Sequence, residues 1–179
     1  MFIQHSNYKT NLLKQSVLFL LIIFLTSCQN KKENIPTVEK SYPFYVGTYT
    51  KGDSKGIYKY TLQEDGIIKN NGLAAKSKNP SFLTFSDDKK YLLAVNETNP
   101  EGGTGSVESF LINGDSLSLI NRRSSGGAHP CFVATNKLDF VLTANYSSGN
   151  VGLLKLNKNG ELSDLLDIQQ HVGKGTTDR

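Results

Sequence analysis

A repeat of roughly 48 residues runs along most of this chain, and it restricts the possible folds more than any other feature. Three segments align: Phe44-Tyr45-Val46-Gly47-Thr48-Tyr49, Tyr91-Leu92-Leu93-Ala94-Val95-Asn96 and Phe140-Val141-Leu142-Thr143-Ala144-Asn145. Each is followed by a Gly-containing gap and a second β-like run, at residues 56–62, 106–112 and 150–156. Each second run then meets a turn, Glu64-Asp65-Gly66, Asn113-Gly114-Asp115 or Lys158-Asn159-Gly160. Asp-Gly and Asn-Gly supply the positive φ angles that tight hairpins need. A further strand-like stretch follows, and two leading segments match as well, Asn79-Pro80-Ser81-Phe82-Leu83 and His129-Pro130-Cys131-Phe132-Val133. Apolar positions cluster or alternate between Gly, Asn, Asp and Pro, which fits short strands and not helices. Four short strands per repeat of this length mark a β-propeller blade, with a β-sandwich of accidental spacing as the alternative.

The phase of the repeat is informative. Let strand A start at Asn79 or His129 and strand B at Tyr91 or Phe140, with C and D after them. The first repeat opens on a B-type segment at Phe44, behind a polar stretch. Its inner strand must be supplied from elsewhere, normally by the C-terminal part of the chain that closes such a ring. The expected fold class is therefore all-β, a propeller of four-stranded antiparallel blades. Blade one would occupy 43–78 without its inner strand, blade two 79–128 and blade three 129–179. A seven-bladed ring at this period takes roughly 330–350 residues. The chain thus reads as an N-terminal portion holding about the first three blades, with open sheet edges if it stands alone.

Residues 1–16 are polar, with Lys9 and Lys14 and no acid, and residues 17–25 form an unbroken apolar run. A spanning helix takes about 20 apolar residues, so this shorter run reads as a secretory leader at 1–27. Leu25-Thr26-Ser27-Cys28 is similar to a bacterial lipobox, in which the thiol of Cys28 would be acylated after cleavage. The alternative is an uncleaved N-terminal anchor helix, and both tether the chain to a membrane. Residues 28–42 would be the lipidated Cys and a solvated tether. The expected location is the cell envelope, as a membrane-anchored lipoprotein on the periplasmic or outer-membrane side. With Cys28 lipidated, Cys131 is the remaining thiol, which leaves no partner for an internal disulfide.

Composition removes other classes. Three His and two Cys are too few for a Cys/His metal framework, so no metal or other cofactor is expected. The formal charge of +4 falls further once Lys9 and Lys14 leave with the leader, so no nucleic-acid partner is expected. Gly102-Gly103-Thr104-Gly105 leads into a strand and not a helix, so it reads as a flexible loop and not a phosphate cradle.

Strand direction alternates within a blade, which places the starts of A and the ends of B on one rim. That rim collects Thr48 and Tyr49, Asn96 and Glu97, Asn145 and Tyr146, and the strand starts Asn79 and His129. Arg122-Arg123 reads as solvated strand exterior, and Cys131 as a small buried hydrophobe.

Residues 45–50 (Tyr45-Val46-Gly47-Thr48-Tyr49-Thr50), Ala94-Val95-Asn96-Glu97, Gly127-Ala128-His129-Pro130-Cys131 and residues 144–151 resemble, in order and spacing, the bacterial seven-bladed lactonase propeller family. The resemblance runs from about Phe44 to Arg179. It implies hydrolysis of a sugar lactone of the 6-phosphogluconolactone type, with no cofactor. In the family a Pro-His-x-His segment follows the position matched by Arg179, so part of the expected catalytic cluster lies beyond this sequence. Lactone hydrolysis needs a base for water and donors for the oxyanion. His129 is the candidate base, with Glu97 as orienting group or alternative base. Asn96, Asn145, Tyr146 and Tyr49 are candidate substrate contacts, and the planar fork of Arg179 suits a carboxylate or phosphate. The expected partner is a small lactone or sugar acid. A non-catalytic sugar- or protein-binding propeller and a muconate-type cycloisomerase are the competing functions.

Overall fold

The computed structural model describes residues 40–173; the expected leader, Cys28 and Arg179 lie outside the described residues. Apart from a short 3-10 turn at Pro100–Gly102, all regular structure among these residues is β. The strands are β1 (Ser41–Gly47), β2 (Gly56–Gln63), β3 (Ile68–Lys76), β4 (Leu83–Phe85), β5 (Tyr91–Asn96), β6 (Ser106–Asn113), β7 (Ser116–Ser124), β8 (Pro130–Thr135), β9 (Phe140–Asn145), β10 (Asn150–Lys155) and β11 (Asp167–Gln170). They form three antiparallel sheets. The first has order β1-β2-β3, the second β4-β5-β6-β7 and the third β8-β9-β10-β11. Among the described residues the first sheet has no counterpart to β4 and β8, in keeping with its opening on a B-type segment. Its first strand begins at Ser41, slightly ahead of the expected blade start at 43.

The sheets pack face to face. The run Tyr91-Leu92-Leu93-Ala94-Val95 is apolar throughout because β5 is covered on both faces, as buried strands are. Leu92 and Ala94 join Ile57 and Ala74 of the first sheet, together with Phe110 and Leu117. Leu93 and Val95 turn the other way, onto Val133, Val141 and Leu154 of the third sheet. Each fully buried Leu of this kind contributes roughly 1.5–3 kcal/mol. Alternation along one strand thus binds three sheets.

The seams are tight. At Gly152 a Cβ would fall 2.2 Å from the Ser125 carbonyl oxygen, so no larger residue fits without separating the second and third sheets. Polar groups also cross. Lys59 reaches Asp115 at 2.8 Å, Ser109 donates to the Gly160 carbonyl at 2.7 Å, and the Asn121 amide donates to the Leu162 carbonyl at 2.9 Å.

The hairpin turns match their residues. Gly114 takes φ 58° between the paired residues Asn113 and Ser116, a conformation an L side chain resists. Two features differ from the sequence reading. Strands β4 and β8 start at Leu83 and Pro130, later than Asn79 and His129, because those two residues adopt left-handed φ values of 46° and 51° that break the extended backbone. The loop after β5, read as flexible, contains the Pro100–Gly102 turn, closed by a 2.8 Å bond from Gly103 N–H to the Pro100 carbonyl.

Candidate functional site

Three expected residues are joined by a run of hydrogen bonds along one rim. The Tyr49 hydroxyl donates to Glu97 Oε2 at 2.7 Å, linking the first sheet to the second. Thr98 follows Glu97, and its carbonyl accepts the His129 N–H at 3.0 Å, linking the second sheet to the third. His129 Nδ1 then lies 2.7 Å from Ser147 Oγ.

Asn79 fixes the first of these links. Its Oδ1 accepts from Thr50 N–H at 2.9 Å and Thr50 Oγ1 at 3.0 Å, while its Nδ2 donates to the Glu97 carbonyl at 3.2 Å. One amide therefore sets the spacing between the segments that carry Tyr49 and Glu97. The two residues preceding the prolines, Asn79 and His129, hold the same left-handed backbone in successive blades. A residue before proline ordinarily prefers the extended region. Strain of this kind costs about 1–3 kcal/mol and persists where surrounding contacts over-determine it.

The electrostatics follow from the bonds. The hydrogen bond donated to Glu97 favours the protonated phenol and raises the Tyr49 hydroxyl above its usual 10.0. With Nδ1 of His129 engaged by Ser147, Nε2 is the nitrogen left for a ligand. If Nδ1 carries the proton and donates to Ser147, Nε2 is a base; if Ser147 donates, Nε2 is a donor.

Asn96 and Asn145 do not face the mouth. They are 3% and 2% exposed, and their amides lie in the seams between sheets. Asn96 Nδ2 donates to the Lys78 carbonyl at 3.0 Å and to Ser77 and Glu108. Asn145 Nδ2 donates to the Ser125 carbonyl at 2.9 Å and to Asn150 Oδ1 at 2.8 Å. Both bind the segment leaving the preceding sheet. The physical reason is that a polar residue at a strand end turns inward when the adjacent sheet presents an unpaired carbonyl there. The Tyr146 side chain is 81% exposed, while its backbone N–H donates to the His129 carbonyl at 3.0 Å.

Other readings also change. Cys131 is exposed and not buried. Arg122, read as solvated exterior, forms an ion pair with Glu108, whose side chain is fully buried. The sequence reading did not single out Glu108 or Ser147. Glu108 sits inside a strand-like run of alternating residues, where nothing local separates a buried carboxylate from an exposed one.

Comparison with known proteins gives this geometry its family. Residues 43–179 match the family model "Lactonase, 7-bladed beta-propeller". The chain is 34% identical over 140 residues to a 6-phosphogluconolactonase of Bacillus subtilis (strain 168), covering 77% of this chain and 40% of that protein. A solved structure from Bacteroides fragilis NCTC 9343 superposes with TM-score 0.72 at 32% identity, covering 79% of this chain and 40% of that one. The periplasmic gluconolactonase PpgL of Pseudomonas aeruginosa superposes with TM-score 0.69 at 30% identity, covering 74% and 39%. The chain spans about 40% of the length of these relatives. With three antiparallel sheets in the repeat order of a propeller and a family match over 43–179, the chain belongs to the seven-bladed β-propeller lactonase family.

Proposed function

We propose that the whole protein hydrolyses a sugar lactone, opening a gluconolactone-type ring to the aldonate. The observation that carries this reading is the bonded run from Tyr49 through Glu97 and Thr98 to His129 and Ser147, on one rim of a lactonase-family sheet set. His129 takes a proton from water through Nε2 while Nδ1–H donates to Ser147. The water oxygen attacks the lactone carbonyl carbon, and as the tetrahedral intermediate collapses the ring C–O bond breaks and the proton on Nε2 passes to the departing ring oxygen. With the Tyr49 proton given to Glu97 Oε2, the Tyr49 oxygen and the second Glu97 carboxylate oxygen each offer an acceptor to sugar hydroxyls. Arg179, outside the described residues, is proposed to bind the carboxylate or phosphate end.

An envelope location is part of the proposal, with acylation at Cys28 as the anchor. A family member named a periplasmic gluconolactonase supports an exported protein acting on an unphosphorylated lactone. The relative named 6-phosphogluconolactonase supports the phosphorylated one.

A pH-stat assay of the complete protein on gluconolactone, with and without a 6-phosphate, separates these substrates. Hydrolysis above the spontaneous rate that falls at least tenfold in His129→Ala is expected. Wild type and variant both at the spontaneous rate would refute the hydrolase reading. Mass spectrometry of the mature N-terminus tests the anchor, which a diacylglyceryl adduct on Cys28 would bear out and an unmodified thiol would remove.

A further inference from the structure

The buried Glu108 organises a second polar feature, which adjoins the Tyr49–His129 run at Thr50 and Thr98. Its side chain has no exposed surface. Oε1 accepts from Arg122 Nε at 3.0 Å and from Nη2, and Oε2 accepts from Ser77 and Asn96. An enclosed carboxylate is tolerated when paired and hydrogen-bonded on both oxygens. The result is a guanidinium held in one orientation while about half of the Arg122 side chain, 53%, stays exposed.

Arg122 forms one wall of an open groove of about 600 Å³ between the first and second sheets. The other walls carry Lys55, Lys76 and Lys78, with the hydroxyl residues Thr50, Ser54 and Ser77. No carboxylate lines it among the described residues. None of the four ion pairs among the described residues involves Lys55, Lys76 or Lys78. A smaller hollow shares Lys78 and Arg122 and continues past Thr98, Thr104 and Ser106. Glu108 neutralises one of the four cations, which leaves a concave surface of strongly positive sign. Ammonium groups gathered without a counter-charge repel one another, and an anion in the groove relieves that repulsion.

We propose that this groove binds a phosphomonoester. Such a group carries a charge of about −1.5 to −2 with three strong acceptor oxygens, which matches three ammonium groups and a fixed guanidinium edge. The groove is open to solvent, so a sugar phosphate and a bare phosphate both have access to the cations. The same chemistry is offered by a soluble sugar phosphate or by the headgroup of an anionic lipid. The site is argued from charge and shape and does not rest on lactone hydrolysis, so binding and not turnover is the readout.

The test is titration calorimetry on the full chain with glucose 6-phosphate and inorganic phosphate, using glucose as the uncharged control. A second arm uses vesicles of phosphatidic acid against phosphatidylcholine. Binding of the phosphorylated sugar without binding of glucose, weakened at least tenfold in Lys76→Ala/Lys78→Ala, supports the proposal with a soluble ligand. Binding confined to phosphatidic acid vesicles, with the same lysine dependence, supports it with a lipid source. Lys158→Ala, on the opposite rim, leaves binding unchanged. The single Lys78→Gln variant serves if circular dichroism shows that the double variant has lost its fold. No binding in either arm, or binding that survives loss of the lysines, overturns the proposal.

Discussion

Asn79 and His129 occupy the same place in successive blades, each with left-handed backbone directly before a proline. Asn tolerates this conformation better than most residues, and His less well. The backbone and the imidazole of His129 can therefore be separated. His129→Gly should be more stable to urea than His129→Ala by about 1 kcal/mol, because Gly carries no penalty at positive φ. Both variants should lose hydrolysis equally. Equal stabilities would show that the left-handed turn is unstrained.

The Tyr49–Glu97 bond has a spectroscopic signature. Because that bond raises the Tyr49 pKa, Glu97→Gln should bring the phenol back toward its ordinary 10.0. A difference titration of ultraviolet absorbance, with Tyr49→Phe to assign the signal, reads this directly. An unchanged Tyr49 midpoint in Glu97→Gln would show that the bond is not maintained in solution.

Arg122→Ala should destabilise the fold by about 2–3 kcal/mol, below the roughly 3–5 kcal/mol of a fully buried pair, since the guanidinium keeps contact with water. Removing Glu108 as well, as Glu108→Leu/Arg122→Ala, should recover part of the loss because no unpaired buried charge remains. Urea unfolding of both single variants and the double variant measures the coupling. Strict additivity would mean that the pair is not a unit.

In the turn between β4 and β5, the Ser86 hydroxyl and the Lys90 backbone N–H bond to Asp88 and hold its carboxyl down to about 2. A depressed folded value stabilises the native state above the ordinary 3.8, and that contribution disappears as pH falls from about 4 toward 2. Ser86→Ala should raise the Asp88 midpoint, as followed by its side-chain carboxyl resonance on acid titration. A midpoint that stays near 2 in that variant would assign the depression to Lys90 alone.

What the residues announce and what they conceal divide along a physical line. The B and C strands and their turns are written in local signals, namely alternation, Asn-Gly and Asp-Gly. The phase that opens the first described sheet on a B-type strand follows from the position of Phe44. Strand direction alone puts Tyr49, Glu97 and His129 on one rim. The burial of Asn96 and Asn145 is not legible in the sequence, because a polar strand end looks the same whether it meets water or a neighbouring sheet. Glu108, Arg122 and the bulge between Ser109 and Phe110 depend on the adjoining sheet in the same way, and no window of sequence contains that neighbour.

The Asn96 and Asn145 amides carry a wider consequence. Each grips the carbonyl of the strand exit just behind it, so the angle from one sheet to the next is held by a local latch at both steps among the described residues. Rim loops such as the segment from Asn99 to Thr104 can then change length and chemistry while the pitch of the assembly stays constant. Such a scaffold can acquire new substrates by loop exchange without having its symmetry redesigned.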